Sequence, residues 1–321
     1  MKPNITVVIP FYQQQPGLLV KALQSIAAQQ VDATLHVVVV DDESPVPAQD
    51  DVERAALSGL NVTVIRQRNA GPGAARNAAL DAVGGAGDLV AFLDSDDTWR
   101  PQHLSRALRA LDAGHDVYFS NFMQLDAAKP AFERAGRLAY GEHAGEHAGE
   151  HAAEHVAIDQ SEGLWSYRGD MITQVVVGNL IGTPTVVYRP QPFAQHRFRT
   201  EYRRAGEDYL FWLGLAALGA KFCFGTRPMV DCGRGVNVYS GSGWGTDGFA
   251  RRLFDERAYR VACERDFALS PRAQAHVTDE KRRLAKAFSA DLLHRLRHRK
   301  PVDWGLVKAY WLARFVRRSS A

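Results

Sequence analysis

The chain has 321 residues, a length that fits one large domain or one domain with an extension. Hydrophobic residues make up 46% of it and the formal net charge is +3, so a sizeable core is expected and the overall charge indicates no particular partner. We expect neither a secretory leader nor a transmembrane helix, because no signal-peptide core and no apolar run of roughly 18 residues is present. Three cysteines without the spacing of a zinc site or a disulfide framework favour a reduced, cytoplasmic protein.

Short apolar strands alternate with helical segments over about the first 120 residues. The predicted strands cover residues 5–9, 36–40, 61–66, 89–93 and 117–120, and the predicted helices cover residues 18–28, 74–83 and 101–111. Because the strands are apolar throughout rather than alternating, they are typical of a parallel sheet covered by helices on both faces. Ligands bind such sheets at the carboxyl ends of the strands, so we expect the functional site there.

A short repeat of Glu, His and small residues interrupts this pattern at residues 142–155. On a helix, its histidines would form one stripe that could bind a metal ion: His143, His147, His151 and His155. The alternative is a solvated insertion without chemistry, which is favoured because Gly145 and Gly149 weaken a helix.

The second half of the chain begins with residues 174–188, a segment rich in β-branched side chains. A helix is predicted at residues 206–218 and a short strand at residues 221–224. From about residue 247 onward the pattern is helical.

Two carboxylates follow the fourth predicted strand, in the triplet Asp94-Ser95-Asp96. Residues two apart lie on the same side of an extended chain, so Asp94 and Asp96 could form an oxygen site for a hard divalent cation. A diphosphate could supply further oxygens, and the cation would then stabilise charge on a leaving diphosphate. Such a triplet is common by chance, and the alternative is a solvated turn in which Asp caps the next helix.

Two further motifs are expected at the same edge of the sheet. The pair Asp41-Asp42, at the end of the second strand, could accept hydrogen bonds from a base or ribose, or form a turn into Ser44-Pro45, and the spacing does not separate these alternatives. Residues 69–77 form a Gly-rich loop that enters a helix without matching the common phosphate-binding motifs. Arg76, one turn into that helix, would reach a bound nucleotide or form a surface salt bridge.

A later acidic pair, Glu207-Asp208, begins the helix predicted at residues 206–218. Group transfer to a hydroxyl needs a base, and one carboxylate suffices if a metal ion assists the leaving group. The alternative is that these acids stabilise the helix start, which is the favoured interpretation of the pair taken alone.

Taken in order, these motifs resemble the inverting glycosyltransferases of family 2, which have the GT-A fold. Each motif is loose by itself, but five in this order form a specific signal over about residues 4–225. They are residues 7–12 (VVIPFY), 40–44 (VDDES), 69–77 (NAGPGAARN), 92–97 (FLDSDD) with Pro101, and 207–213 (EDYLFWL).

The resemblance implies an α/β fold, GT-A, with a Rossmann-like, mostly parallel sheet flanked by helices and a helical C-terminal extension. Residues 1–230 would be the nucleotide-sugar-binding catalytic domain, with an insertion at about 141–156. Residues 231–321 would form a lid loop and a basic helical region. The implied reaction is a single in-line displacement with inversion, from a nucleotide-diphosphate sugar, usually a UDP-sugar, to a hydroxyl of a glycan or lipid-linked acceptor. Mn²⁺ or Mg²⁺ is the implied cofactor.

The resemblance also implies roles for individual residues. Asp208 would be the catalytic base, with Glu207 beside it at the acceptor, and Asp96 would bind the metal ion. Asp97 receives no role, and Glu43 stands where the family often has a smaller residue, which leaves open how the base is recognised. The residues implied in donor binding are Pro10, Phe11, Tyr12, Asp42, Arg76, Asp94 and Ser95.

Two other segments have less specific patterns. Asn179 and residues 183–185 would form part of the acceptor floor or, as the favoured alternative, core and turn structure. Trp244, in a Gly/Ser-rich loop, would stack on the donor as part of a lid, or belong to a plain mobile loop.

The C-terminal end combines aromatic and basic residues, among them Trp304, Lys308, Trp311 and Arg314. A basic amphipathic helix with tryptophans is typical of peripheral contact with a membrane, here its inner face. The alternative is a helix packed on the catalytic domain with solvated arginines. No motif that binds nucleic acid is present, so we expect no such partner.

Two other functions were compared with glycosyl transfer. A nucleotidyltransferase usually has glycine and basic residues in its first loop, and residues 10–14 contain neither Gly nor Lys. A non-catalytic binding protein would not need both Asp96 and Asp208, which are present here.

Overall fold

The computed structural model describes residues 2–83, 88–138, 154–234 and 242–312. Its strands are β1 (Asn4–Phe11), β2 (Thr34–Asp41), β3 (Asn61–Arg66), β4 (Leu89–Phe92), β5 (Thr98–Trp99), β6 (Val117–Met123), β7 (His155–Asp159), β8 (Leu164–Tyr167), β9 (Val187–Tyr188) and β10 (Phe222–Asp231). Its helices are α1 (Leu18–Ala27), α2 (Ala48–Ala55), α3 (Pro72–Val83), α4 (His103–Asp112), α5 (Ala131–Ala135), α6 (Met171–Gly178), α7 (Glu207–Ala217), α8 (Phe249–Asp266), α9 (Pro271–Arg297) and α10 (Trp304–Leu312).

The strands form one mixed sheet in the order β3-β2-β1-β4-β9-β6-β10-β8-β7, with β5 paired to β10. Strands β1 to β4 are parallel to their neighbours in this set, and β6 is parallel to β10. The short strand β9 runs antiparallel between β4 and β6. The carboxyl ends of β1, β2 and β4 therefore meet at one edge, as the apolar strand pattern predicts.

Alternate residues of the central strands pack on opposite faces of the sheet, because side chains in a strand alternate in direction. Val7 and Val37 pack with helices α1 and α4 in one core. Val8 and Val38 pack with helices α3 and α7 in the other. Helices cover both faces, which explains why the middle of these strands, at residues 7–9 and 37–40, is apolar.

Two segments of the second half show more than the sequence pattern indicates. Residues 171–178, which overlap the segment rich in β-branched side chains, form helix α6, and Asp170 caps its start by accepting a hydrogen bond from the backbone N–H of Thr173. Strand β10 runs ten residues to Asp231, well beyond the predicted end at residue 224, because it pairs with β6, β8 and β5.

The histidine repeat falls mostly outside the described residues, which exclude His143, His147 and His151. His155 lies in strand β7, where its ring packs against Tyr167 and Phe224. It is therefore a residue of the sheet and does not continue a helical stripe.

The C-terminal helices form a smaller core of their own. Leu253 of α8, Leu284 and Phe288 of α9, and Leu306 and Tyr310 of α10 pack together. Burial of each such side chain contributes about 2 kcal/mol, which fixes α10 against its neighbours. Helix α8 contacts α7 and helix α9 contacts α6, so the extension packs on the sheet domain. Within the described residues, no helix combines the length and apolarity needed to cross a bilayer.

Candidate active site at the carboxyl edge of the sheet

A cavity of about 650 Å³ opens where strands β1, β2 and β4 end. Sheet register brings these ends together, because Phe11 pairs with Asp41 across β1 and β2, and Val8 pairs with Phe92 across β1 and β4. The predicted site residues that line the cavity are Pro10, Phe11, Tyr12, Asp42, Arg76, Asp94, Ser95, Asp96 and Glu207. Asn69, Gly71 and Pro72 of the predicted Gly-rich loop also line it, as do three residues that sequence reasoning did not select: Gln13, Arg203 and Arg204.

Asp42 fixes the Gly-rich loop to the end of β2. Its Oδ1 accepts hydrogen bonds from the Gln67 side chain at 2.7 Å and the Ala70 backbone at 2.8 Å, and its Oδ2 accepts one from the Gly71 backbone at 2.8 Å. A carboxylate oxygen can accept two hydrogen bonds, so Oδ2 keeps capacity for a ligand N–H or O–H. Asp42 thus shapes the cavity, and its contact with a nucleobase stays a prediction.

Asp41, next to Asp42, has a purely structural role in this arrangement. Its two carboxylate oxygens accept hydrogen bonds from the backbone N–H groups of Ser44 and Ala48, at 2.8 and 2.9 Å. This is the turn that the sequence offered as an alternative for the pair. Asp41 therefore takes the turn-forming role, and the ligand-binding role stays a prediction for Asp42.

Gln13 connects three elements of the site, a role that sequence reasoning did not identify. Its backbone N–H donates to Ser44 Oγ at 2.8 Å, and its side-chain amide donates to Ser95 Oγ at 2.9 Å. Gln13 and Ser95 are both buried, so these bonds hold the ends of β1 and β4 together. A glutamine after a strand carries no recognisable signal, since its partner lies 82 residues away.

Arg76 is buried between two acidic groups of the cavity. Its Nη2 donates to Asp94 Oδ1 at 2.7 Å, and its Nη1 lies 3.4 Å from Glu207 Oε1. Its guanidinium also lies over the Phe198 ring, 5.4 Å from the centroid. Burial opposes the charge, but Asp94 and Glu207 raise the pKa of Arg76 above its usual value, so the group stays protonated.

The acidic turn after β4 divides into cavity-facing and buried carboxylates. Asp94 and Asp96 line the cavity, whereas Asp97 is 5% exposed and accepts a hydrogen bond from the Gly233 backbone at 2.8 Å. Burial, followed by the charges of Asp94 and Asp96, raises the pKa of Asp97 to about 8. Asp97 therefore joins the turn to the end of β10, a role that the sequence did not indicate.

Gly233 fits against this turn because it has no side chain. A Cβ atom at this position would lie 1.7 Å from the backbone oxygen of Asp96, which is far inside van der Waals contact. The backbone after β10 thus approaches the acidic turn as closely as only glycine permits.

Glu207 and Asp208 begin helix α7, as predicted, but face different surroundings. In the described part of the chain, Glu207 lines the cavity and Asp208 does not. Asp208 Oδ1 accepts a hydrogen bond from the Tyr209 backbone at 2.8 Å. Burial, with the neighbouring Asp208 charge, raises the pKa of Glu207 to about 7, and burial also raises the pKa of Asp208. Carboxyl groups with raised pKa values are suited to accept a proton near neutral pH.

The carboxylate oxygens at the acidic turn suit a cation whose coordination shell is completed by oxygens of a bound ligand. No group of three or more His, Cys, Asp and Glu residues placed to hold a metal ion occurs in the described ranges. Asp94 and Asp96 offer two carboxylates, and burial together with their negative charges raises the pKa of Asp97. Mg²⁺ is usually bound by one or two carboxylates together with substrate phosphates, so these residues fit such an ion.

The structure places the other predicted residues away from the cavity. Trp244 is 55% exposed, and its ring packs against Phe249 and His294 of the C-terminal helices. Asn179 bonds to the backbone of Ile181. Residues Thr183–Thr185 form a buried turn of 3-10 helix. The favoured alternative for Asn179 and this turn, core and turn structure, agrees with these contacts.

Comparison with known proteins gives a consistent result over most of the chain. The family model "Glycosyl transferase family 2" matches residues 6–175. The succinoglycan biosynthesis protein ExoW of Rhizobium meliloti is 30% identical over 323 residues, which cover 97% of this chain and 94% of ExoW. The succinoglycan biosynthesis protein ExoO of the same organism is 41% identical over 112 residues, or 35% of this chain and 30% of ExoO.

Two solved structures illustrate the similarity in fold. S. aureus TarS 1-349 in complex with UDP-GlcNAc has a TM-score of 0.57 at 21% identity, covering 89% of this chain and 72% of that one. The mannosyltransferase PcManGT from Pyrobaculum calidifontis in complex with GDP-Man and Mn²⁺ has a TM-score of 0.57 at 16% identity, covering 99% and 82%. These similarities confirm the predicted GT-A fold.

Proposed function

The chain belongs to glycosyltransferase family 2 and is a glycosyl transfer enzyme, and we propose that it moves a sugar from a UDP-sugar to an acceptor hydroxyl with inversion and with the help of a divalent cation. One observation carries this proposal: a single cavity joins the carboxylates of Asp94 and Asp96 to that of Glu207, with Arg76 between them. Family membership excludes the nucleotidyltransferase and the non-catalytic protein as alternatives.

The donor occupies the side of the cavity formed by β1, β2 and β4. Residues Pro10 to Tyr12 and Asp42 hold the nucleoside, and Asp94 and Ser95 contact the ribose. Tyr12, which is partly exposed at the cavity, offers a ring for the base. UDP-GlcNAc and GDP-Man in the two fold neighbours support a nucleotide-diphosphate sugar as the donor class.

Asp96 would hold the cation together with Asp94 and with diphosphate oxygens of the donor. When bound, Mn²⁺ or Mg²⁺ supplies positive charge that stabilises the leaving diphosphate. The Mn²⁺ in the PcManGT complex supports this class of ion. Buried Arg76 adds a fixed positive charge on the same side through its hydrogen bond to Asp94.

Asp208 accepts the proton of the acceptor hydroxyl, whose oxygen bonds to the anomeric carbon as the bond to the diphosphate breaks. Glu207 is already paired with Arg76, a contact that commits its carboxylate to the guanidinium at the cavity wall. Glu207 therefore positions Arg76 and forms the cavity wall beside the acceptor. Because Glu207 and not Asp208 lines the described cavity, the two residues have to be tested separately.

The acceptor is a growing glycan of a secreted or surface polysaccharide. The similarity to ExoW, a succinoglycan biosynthesis protein, extends over nearly the whole of both chains and supports this class of product. A lipid-linked form of that glycan would be available only at a membrane surface.

Peripheral membrane contact through the C-terminal helices is part of the proposal. Helix α10 buries Leu306 and Tyr310, so its main apolar face is occupied by α8 and α9. The exposed apolar residues lie instead at the end of α9, where Leu293 is 68% exposed and Leu296 50%, and at Trp304. Four exposed basic residues lie close to them in the chain: Arg297, Arg299, Lys300 and Lys308. Apolar and cationic groups side by side suit an anionic lipid surface.

Donor binding tests the proposed function directly. Isothermal titration with UDP-glucose, UDP-galactose, UDP-N-acetylglucosamine and GDP-mannose should give binding for at least one UDP-sugar, and Mn²⁺ should strengthen it. EDTA should remove that gain. Equal binding with Mn²⁺ and with EDTA would reject the role of the cation, and preference for GDP-mannose would reject the UDP-sugar.

A further inference from the structure

An arginine-rich segment precedes helix α7 and reaches the cavity. It contains Arg197, Arg199, Arg203 and Arg204. Arg197 and Arg199 form ion pairs with carboxylates elsewhere on the surface, and Arg203 donates a hydrogen bond to the Gly-rich loop. Of the four, only Arg204 makes neither a hydrogen bond nor an ion pair among the described residues.

Arg204 is exposed and lines the cavity. Among the described residues it interacts electrostatically with Asp255 of α8, whose pKa is raised by burial and lowered in part by the charge of Arg204. Its guanidinium donors are therefore available to a ligand. A guanidinium binds a carboxylate or phosphate with two parallel hydrogen bonds, which makes arginine the usual residue for such groups.

The position of Arg204 in the cavity indicates which substrate it faces. In an in-line displacement, the attacking oxygen and the leaving group lie on opposite sides of the reacting carbon. Asp94 and Asp96 mark the side of the leaving diphosphate, so the wall at the start of α7 is the acceptor side. Arg204 precedes Glu207 by three residues on that wall.

The charges of the cavity make a free cation there significant. The other arginines of the cavity, Arg76 and Arg203, already hold Asp94 and Asn69, so without Arg204 a negative group on the acceptor would face the Glu207 carboxylate unpaired. We propose that Arg204 binds an oxyanion, a phosphate or a carboxylate, that the acceptor carries near the reacting hydroxyl. This inference rests on the proposed function, because it takes the α7 wall as the acceptor side.

Arg203 provides a matched contrast to its neighbour. Its Nη2 donates to Asn69, at 2.6 Å to Oδ1 and 3.1 Å to the backbone oxygen. Its Cβ also lies 3.4 Å from where a Cβ on Gly71 would stand. Arg203 therefore supports the donor loop, so its loss affects the donor, whereas loss of Arg204 affects an acceptor anion.

The experiment uses the full chain saturated with UDP and Mn²⁺ and titrates small probes into it by calorimetry. Glycerol 3-phosphate represents a phosphate, glucuronate a carboxylate, and glucose the neutral control. At least one anion should bind saturably and glucose should not. The anion that binds shows whether the acceptor group is a phosphate or a carboxylate. Arg204→Ala should weaken that binding at least about tenfold, with partial rescue in Arg204→Lys. UDP affinity should stay within about twofold of the original, and Arg109→Ala, at an exposed arginine of α4, should change nothing.

Three results would overturn the inference. They are no binding of either anion, equal binding to Arg204→Ala, and displacement of the anion by UDP, which would place Arg204 at the donor diphosphate. Arg203→Ala should instead weaken UDP binding and leave the anion response intact. If UDP itself fails to bind with Mn²⁺, the proposed function is rejected, and the acceptor assignment falls with it.

Discussion

The guanidinium of Arg76 donates a 2.7 Å hydrogen bond to Asp94 although its side chain is only 4% exposed. The other terminal nitrogen of the same guanidinium, Nη1, lies 3.4 Å from Glu207 Oε1. One buried cation thus stands between the carboxylates assigned to the donor and to the acceptor. Its charge offsets repulsion that would otherwise act across the cavity, and it connects α3, the β4 turn and α7.

Replacing Arg76 should therefore damage both stability and transfer. Arg76→Ala leaves two partly buried carboxylates without their partner, and we expect a loss of about 3 kcal/mol in the free energy of unfolding. Transfer should fall about 100-fold, since a fixed charge beside the leaving group is lost. Arg76→Lys should recover part of the activity. Urea unfolding and donor turnover measure the two effects, and a fully active Arg76→Ala enzyme would remove Arg76 from the mechanism.

Gly233 offers a test of how the acidic turn is held. Gly233→Ala places a Cβ 1.7 Å from the Asp96 backbone oxygen, so the turn has to move and Mn²⁺-dependent UDP binding should weaken at least about tenfold. Gly243→Ala is the matched control, since no atom lies within 4 Å of its added Cβ. Calorimetry with UDP and Mn²⁺ compares them. Equal UDP affinity in both variants would mean that the contact at Gly233 does not shape the site.

The pH dependence of transfer follows from the raised pKa values of the acidic pair. The proton acceptor must be ionised, and Glu207 has a pKa of about 7 beside Asp208, whose pKa is also raised. The value of kcat/KM should therefore rise with pH as the pair ionises, with a midpoint above the usual range of an aspartate, and level off at higher pH. A Glu207→Gln substitution removes one like charge, so the midpoint should move to lower pH. A flat profile between about pH 5.5 and 8.5 would contradict an acceptor carboxylate with a raised pKa.

Vesicle flotation tests the membrane surface at the end of α9. The original protein should float with vesicles that contain phosphatidylglycerol and remain unbound with pure phosphatidylcholine, because its exposed basic residues favour anionic lipid. Leu293→Glu with Leu296→Glu should abolish flotation. Leu218→Glu is the control, since Leu218 is 59% exposed at the end of α7. Flotation that survives the double substitution, or that Leu218→Glu also abolishes, would argue against this surface.

Sequence periodicity is sufficient to predict the strands of the central sheet, because the parallel strands are apolar on both faces and end in acidic motifs. The approach of Asp94 to Glu207 followed only from the family resemblance, since the two are 113 positions apart and nothing local relates them. Gln13, Gly233 and Arg204 were missed for the same reason. Each acts through a partner or a cavity that tertiary packing creates, and none belongs to a local motif.

Helix α6 and Trp244 show the limits of local patterns in another way. Three consecutive valines, Val175 to Val177, favour a strand by composition, yet they lie in a helix capped by Asp170 and packed against α7 and α9. Trp244 lies in a Gly/Ser-rich loop, as a lid would, but it packs on Phe249 and His294. In both cases tertiary contacts decide the outcome.

The most direct test of the central claim is donor turnover by variants of the two acidic motifs. With the UDP-sugar that binds best, release of UDP should require Mn²⁺ or Mg²⁺, and Asp96→Ala should lower it at least about 100-fold. Asp208→Asn should bind UDP as the original protein does but lose transfer to a similar extent. Asp126→Asn, at an exposed aspartate, should be unchanged. Metal-independent turnover in Asp96→Ala, or transfer at the original rate in Asp208→Asn, would contradict the assignment of cation and base.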